Sequence, residues 1–337
     1  MKRKKLSKIN IMFLVLDFLA LVVIFVAYGP FCFFRNFLVT TSMGSMSHHF
    51  FARTIYSDKM IAETLSNNYV LESESNTNTG DINFNNDDSG NYESIYEEQI
   101  LKRDSNNDLY KIIDIKENGS RGYMVVIYDP SRISLVNARK LNVGGQKLSV
   151  IATENEAKVA INASGLYNIG GNAIRATGTV IKDGKIFSVG GQTGFGGGGL
   201  IGFNYDNVLV LTKESATSAI KNGMRDAVEF GPFLIVNGEA SKVVGNGGYG
   251  IAPRTAIAQR KDGIVLFLVI DGRQAGYSIG ASMNDLVNIL KRYKAHNAAN
   301  LDGGGSSVMA IDGKIINKPA GYSYTGERYL VNSWILK

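Results

Sequence analysis

Residues 9–29 of this 337-residue chain, INIMFLVLDFLALVVIFVAYG, form one apolar run long enough to cross a bilayer as a helix. Lys2, Arg3, Lys4, Lys5 and Lys8 precede it. That cationic cluster places the N-terminus in the cytoplasm and everything after residue 30 outside. An uncleaved anchor is expected rather than a cleaved signal peptide. The run is long for a signal, and the one small-x-small site, Ala27-Tyr28-Gly29, is followed by Pro30. Asp17 lies mid-span, where an acid costs about 2.5–3.5 kcal/mol. Either it meets a partner helix or its very apolar neighbours tolerate it.

The same basic tail accounts for five of the six net positive charges, so the remainder of the chain is near neutral. A nucleic-acid partner is therefore not expected. Cys32 is the only cysteine and sits at the membrane edge, so the exported part carries no disulfide. With Phe31 directly before it, lipoprotein-type processing is not expected. The pattern fits a bacterial, Gram-positive cell-surface protein better than an animal secreted one.

Four segments follow: a cytoplasmic tail (1–8), the transmembrane anchor (9–29), a juxtamembrane segment and spacer (30–108), and a folded domain (109–337). A short helix is expected around ARTIYSDKMIAETL. Between residues 66 and 108, Asn, Ser, Asp and Glu dominate and little apolar surface is available to bury. The domain holds strand candidates at 123–129, 158–163, 178–187, 207–211, 232–238, 254–259, 264–272, 297–303 and 308–316. Several end in Asp-Gly or Asn-Gly turns, which favour hairpins and an antiparallel or mixed sheet. Helices are expected at 146–156 and at 283–294. In the second, Leu286, Ile289, Leu290 and Tyr293 share a face, and Ser282 with Asp285 resembles a capping box. The fold class is α+β.

The stretch NLDGGGSSVMAIDG (300–313) lacks the lysine of a P-loop and leads into a strand rather than a helix. It leaves Asp302 at a strand end beside bare amides and two hydroxyls. IVLFLVIDGR puts Asp271 and Arg273 after a second buried strand. If the strands are neighbours, the two carboxylates share one rim, as an acid/base pair or as a site for a hard cation such as Ca2+. Arg254, at the entrance of RTAIAQ, suits bidentate capture of phosphate or carboxylate, with a structural ion pair to either acid as the competing role. His48 and His49 are juxtamembrane and His296 stands alone, so neither a histidine zinc site nor a Ser-His-Asp triad is expected. Asn162, ending another apolar strand, and Glu229, before GPF, carry little alone. The glycine cluster 190–199 reads as a mobile loop.

Taken in order, AINASG, RATGTVIKDGKI, EFGPFLIVNG, APRTAIAQRKDG, VIDGRQAGYSIGASMNDLVNIL, NAANLDGGGSSVM and GERYLVNSW resemble the phosphodiester glycosidase family over roughly residues 109–337. This is the domain of the mannose 6-phosphate uncovering enzyme and of bacterial exopolysaccharide biosynthesis proteins. The resemblance implies hydrolysis of a sugar-1-phosphodiester at the sugar C1–O bond. It carries over as site residues Asn162, Arg254, Thr255, Asp271, Arg273, Asp302, Gly303, Gly304, Gly305, Ser306 and Ser307. Of these, Asp302 and Asp271 are the catalytic candidates and the rest bind substrate or phosphate. The first motif departs from the family, which has asparagine-glycine then aromatics where this chain has Asn162-Ala163-Ser164-Gly165-Leu166-Tyr167. The substrate implied is a phosphate-containing surface glycan. The alternative is a non-catalytic glycan-phosphate binding or assembly factor in exopolysaccharide or cell-wall polymer biosynthesis.

Overall fold

The computed structural model describes residues 7–44, 48–73, 76–85, 90–103, 108–139, 144–170, 173–189, 198–321 and 326–337. Helix Lys8–Tyr28 stands apart, with nearly every side chain exposed, and at 21 residues it reaches about 30 Å, enough to cross a membrane.

The domain is α+β and built from antiparallel sheets. Its main sheet has seven strands, in the spatial order Glu239–Ala240, Phe233–Val236, Ala295–Leu301, Arg254–Arg260, Val265–Ile270, Ser120–Ile127 and Tyr110–Glu117. A second sheet orders Lys314–Ile315, Met309–Ile311, Val159–Asn162, Asn332–Leu336 and Ile133–Asn137. A third runs Leu209–Thr212, Gly199–Asn204, Met224–Phe230, Val180–Lys182 and Lys185–Ser188.

Strand Val265–Ile270 shows why its apolar run is continuous. Val265, Phe267 and Val269 enter a core shared with the other two sheets and centred on Trp334 and Phe203. Leu266, Leu268 and Ile270 point the other way, against helix Met283–Arg292. A strand covered on both faces has no polar side to display. The helix carries the expected capping box, with Ser282 and Asp285 each bonding the other's backbone, and it ends at Arg292. The other expected helix spans Leu148–Glu154. The candidate strands 178–187 and 308–316 are each a hairpin, folded at Asp183-Gly184 and Asp312-Gly313, where both residues have positive φ. Most of the 190–199 glycine cluster lies outside the described residues.

Residues 30–108 differ most from expectation. Helices Cys32–Met43, His49–Ile55 and Asp58–Ser66 form a small bundle around Val39, Ala52, Tyr56 and Ile61. The helix expected around residues 52–65 is thus two, with Ser57 capping the second. The polar segment read as a spacer is laid along the domain where it is described. Tyr69–Leu71 pairs with Lys242–Val244, the His296 ring meets Asp81, and Ile100 is fully buried. Its polar side chains serve as partners for domain backbone: Glu72 accepts from the amides of Gly198 (2.7 Å) and Phe233 (2.7 Å) and pairs with Lys213 at 3.2 Å. Few apolar residues are needed when a strap is held this way. Glu72→Ala strands these buried donors and should cost the full chain about 1–3 kcal/mol. Chemical denaturation of the purified chain checks this; a solvated spacer would show no change.

Candidate active site

Register brings the strand-end residues together. Arg254 lies opposite Ile270, and Thr255 opposite Leu301. Asp271 and Asp302, each one residue further on, therefore share a rim, as expected. They are not on adjacent strands. Strand Arg254–Arg260 lies between theirs, so their backbones stand about 10 Å apart.

The two carboxylates have different surroundings. Asp271 is buried, and its oxygens accept from Asn317 Nδ2 (2.8 Å), the Lys318 amide (3.0 and 3.1 Å) and the Tyr277 hydroxyl (3.0 Å). Burial still raises its pKa against these bonds. With its lone pairs so engaged, Asp271 ties the 317–318 corner to the sheet. Asp302 is held through its backbone instead: its carbonyl accepts from Asn162 Nδ2 at 2.6 Å and its amide donates to Ala163 at 3.3 Å. Burial raises its carboxyl pKa, opposed by Ser306, Arg328 and the Gly303 amide. Ser306 exerts this influence from close by, although its Oγ meets no acceptor or donor at hydrogen-bond geometry. Asp302 is thus the carboxylate left available for chemistry.

Asn162 and Thr255 are buried supports. Asn162 Oδ1 accepts from Thr255 Oγ1 (2.8 Å) and from the Val308 amide (3.2 Å), while its Nδ2 holds Asp302. Both polar atoms of the Asn162 side chain are thus engaged within the protein, with one Nδ2 hydrogen left over. Gly303, Gly304 and Gly305 form the turn that follows. Gly304 has φ +60, and a Cβ there would stand 3.4 Å from the guanidinium nitrogens of Arg273, so bare backbone lets that cation close over the turn. The buried hydroxyls of Ser306 and Ser307 lack partners among the described residues.

Arg254 is buried without an acid. Its Nε donates to Ala281 O (2.9 Å), and its Nη2 to the carbonyls of Tyr249 and Gly250 (both 2.7 Å). Burial first, then repulsion from Arg273, pulls its pKa down to about 10, so it stays charged at neutral pH. The structural ion pair considered for Arg254 is not formed. The arrangement offers two arginines, a bare turn and two hydroxyls to an anion, beside one available carboxylate. Glu229 instead accepts from the Thr179 amide (2.8 Å).

A hard cation does not fit this donor set. Among the described residues no three His, Cys, Asp or Glu side chains gather to hold a metal, and Asp271 has spent its oxygens on hydrogen bonds. The residues sequence reasoning passed over are Tyr249, Tyr277, Asn317, Lys318 and Arg328. Arg328 lay in the quoted motif GERYLVNSW and Tyr277 in VIDGRQAGYSIGASMNDLVNIL; the others act through loop geometry that no local pattern announces.

The sequence model of the phosphodiester glycosidase family matches residues 155–337. The chain belongs to the phosphodiester glycosidase family. The match contains Asn162, Arg254, Asp271, Asp302 and the glycine turn. Among curated relatives, the SPbeta prophage-derived protein YomE of Bacillus subtilis (strain 168) is 31% identical over 173 residues, covering 50% of this chain and 26% of YomE. The chain thus spans about a quarter of that relative's length. Among solved structures, the catalytic domain of zebrafish N-acetylglucosamine-1-phosphodiester alpha-N-acetylglucosaminidase, auto-inhibited by its pro-peptide, shares the fold. It has a TM-score of 0.55 at 22% identity, over 69% of this chain and 85% of that one. A putative exported protein of Burkholderia pseudomallei K96243 aligns with a TM-score of 0.46 at 17% identity, over 64% and 74% of the two chains.

A raised carboxylate pKa has a sign in stability. Below its unfolded pKa, Asp302 is protonated in both states and burial carries no charge penalty; as pH rises through the folded pKa, the penalty appears. Asp302→Asn should therefore stabilise the phosphodiester glycosidase domain at neutral pH and above. The gain should shrink as pH falls through the raised pKa, as read from denaturation midpoints across pH.

Proposed function

We propose that this chain is a membrane-anchored, extracytoplasmic hydrolase that cleaves the sugar C1–O bond of sugar-1-phosphodiesters in surface glycans or related polymers. The observation that carries this reading is the Arg254 guanidinium, buried with no carboxylate partner beside a glycine turn and an available acid. Asp285 lies near enough to favour the charge but forms no ion pair with it; a buried cation bonded only to neutral carbonyls is costly, and a bound phosphate repays that cost. The family's activity on phosphodiester-linked sugars agrees with it. The basic tail before helix Lys8–Tyr28 supports a cytoplasmic N-terminus and an external domain on a bacterial surface.

In this reading Arg254, Arg273 and the turn amides hold the phosphodiester, with Ser306 and Ser307 as further donors. As the C1–O bond breaks, its electron pair passes to the phosphate oxygen, and the arginines stabilise the charge gathering there. The departing phosphomonoester is a weak base, so little general acid is required. Asp302 faces C1 and supplies the negative charge that the oxocarbenium-like sugar needs. Water adds at C1 and gives its proton to the Asp302 carboxylate and from there to solvent, yielding the free sugar and a phosphomonoester. Asn162 and Thr255 fix Asp302, and Asp271 fixes the adjoining corner.

The full chain, purified in detergent, should release reducing sugar from a sugar-1-phosphodiester. Asp302→Asn should lower kcat by about 10²–10⁴ while folding normally, and Arg254→Gln should lower kcat/KM by about 10²–10³. Full activity in Asp302→Asn removes that residue from the mechanism. Binding of phosphate-linked glycans with no release by the wild-type chain points instead to a non-catalytic glycan-phosphate binding factor.

A further inference from the structure

An open groove lies around the corner that Asp271 holds. It runs between the Lys116–Arg121 turn of the first hairpin and residues Gly276–Ile279. Lys116 and Arg121 are directly opposed across that hairpin, an arrangement of like charges that destabilises a sheet. Both side chains are exposed. The Arg121 guanidinium lies 5.3 Å from the centre of the Tyr277 ring, and Lys318 Nζ lies 3.9 Å from the same centre. Among the described residues, none of Lys116, Arg121 and Lys318 forms an ion pair.

The acids nearby offset this group only in part: Asp271 attracts Lys318, and Asp285 is bonded to Asn118 in the groove wall. Glu117 is paired with Arg292, and Asp271 is closed in by Asn317, Lys318 and Tyr277. Asp114 shares the outward face of the hairpin but lies opposite Tyr123, one residue pair further from the turn on that face. Two cations thus flank one aromatic ring whose hydroxyl is bonded to Asp271, and Lys116 lies across the hairpin from one of them. Arg273, exposed on the loop after Asp271, donates its amide to the carbonyl of Ile279 in the groove wall, and its guanidinium lies against Gly304 of the glycine turn. Positive charge therefore continues from the phosphate end of the candidate site into the groove.

We infer that the groove is a second anion subsite, in which Lys116, Arg121 and Lys318 hold the next phosphate of a polymeric glycan-phosphate chain whose scissile phosphodiester lies at Arg254. The inference rests on the function proposed above and narrows it to repeating, polyanionic substrates over single sugar phosphodiesters. Tyr277 fixes the two cations that flank it, so the subsite is formed before the chain arrives.

The test reads binding without turnover, on the full chain in neutral detergent at low salt. The probes are short-chain inorganic polyphosphate and inorganic phosphate, measured by calorimetry. The wild-type chain should bind polyphosphate more tightly than phosphate. Lys116→Gln/Arg121→Gln should weaken polyphosphate binding about tenfold and reduce the slope of log Kd against log salt by about one to two. It should leave phosphate binding unchanged. A control that removes two exposed lysines elsewhere, Lys314→Gln/Lys337→Gln, should bind both probes as the wild type does. Equal loss in the control, or no loss in the groove variant, overturns the subsite. A chain that hydrolyses no phosphodiester yet loses polyphosphate at the groove overturns the proposed activity alone.

Discussion

One buried side chain, Asn162, joins the two sheets at the point where the candidate chemistry sits. It ends strand Val159–Asn162 of the second sheet, yet it holds Asp302 and Thr255 of the main sheet and the amide of Val308 on the way back to its own. An amide suits this place because it both donates and accepts in a dry interior, where an unpaired polar atom is costly. A carboxylate could not donate to the Asp302 carbonyl, and an aliphatic residue would leave three groups unsatisfied. Everything reactive at the rim takes its position from this knot and from the register of Arg254 against Ile270.

The knot also separates the two acids by role. Sequence put Asp271 and Asp302 on equal terms, since both end an apolar strand at Asp-Gly. The difference arises in what the chain does afterwards. After Asp271 the backbone passes through Arg273 in a left-handed conformation and returns Tyr277 to the carboxylate, while Asn317 and Lys318 arrive from a hairpin some 46 residues away. After Asp302 the chain turns on glycines, and the carboxylate feels Ser306 and Arg328 but is not closed in by several donors as Asp271 is. Saturation of one acid and availability of the other is a tertiary outcome, invisible in either motif.

Legibility followed the range of the interaction. The strands, the capping box of Met283–Arg292 and the shared rim depend on local pattern and on Asp-Gly turns, and they could be read directly. The interposed strand between the two acids could not, because pairing order in an antiparallel sheet is set by long-range packing. The strap was misjudged for a related reason. Composition reports how much apolar surface a segment can bury, and residues 66–73, 76–85 and 90–101 bury few apolar side chains. They are held instead by side chains that complete unpaired backbone donors, as Glu72 does for Gly198 and Phe233. That bonding is decided by where the donors lie in the folded domain.

The same long-range logic links the membrane-proximal helices to Arg254. Its guanidinium is fixed by the carbonyls of Tyr249 and Gly250, which belong to a glycine-rich loop with little stiffness of its own. That loop is pinned from outside the domain. Asn246 donates its side-chain amide to Thr40 Oγ1 and its backbone N–H to Asn68 Oδ1, and Gly250 packs so closely on Thr41 that a Cβ there would stand 2.3 Å from its hydroxyl. Thr40 and Thr41 lie on helix Cys32–Met43, the first element after the membrane-length helix. A buried cation must be held rigidly to favour an anion over water, and here the rigidity comes from residues 40–68, upstream of the region matched to the family. The support of Arg254 therefore begins at helix Cys32–Met43.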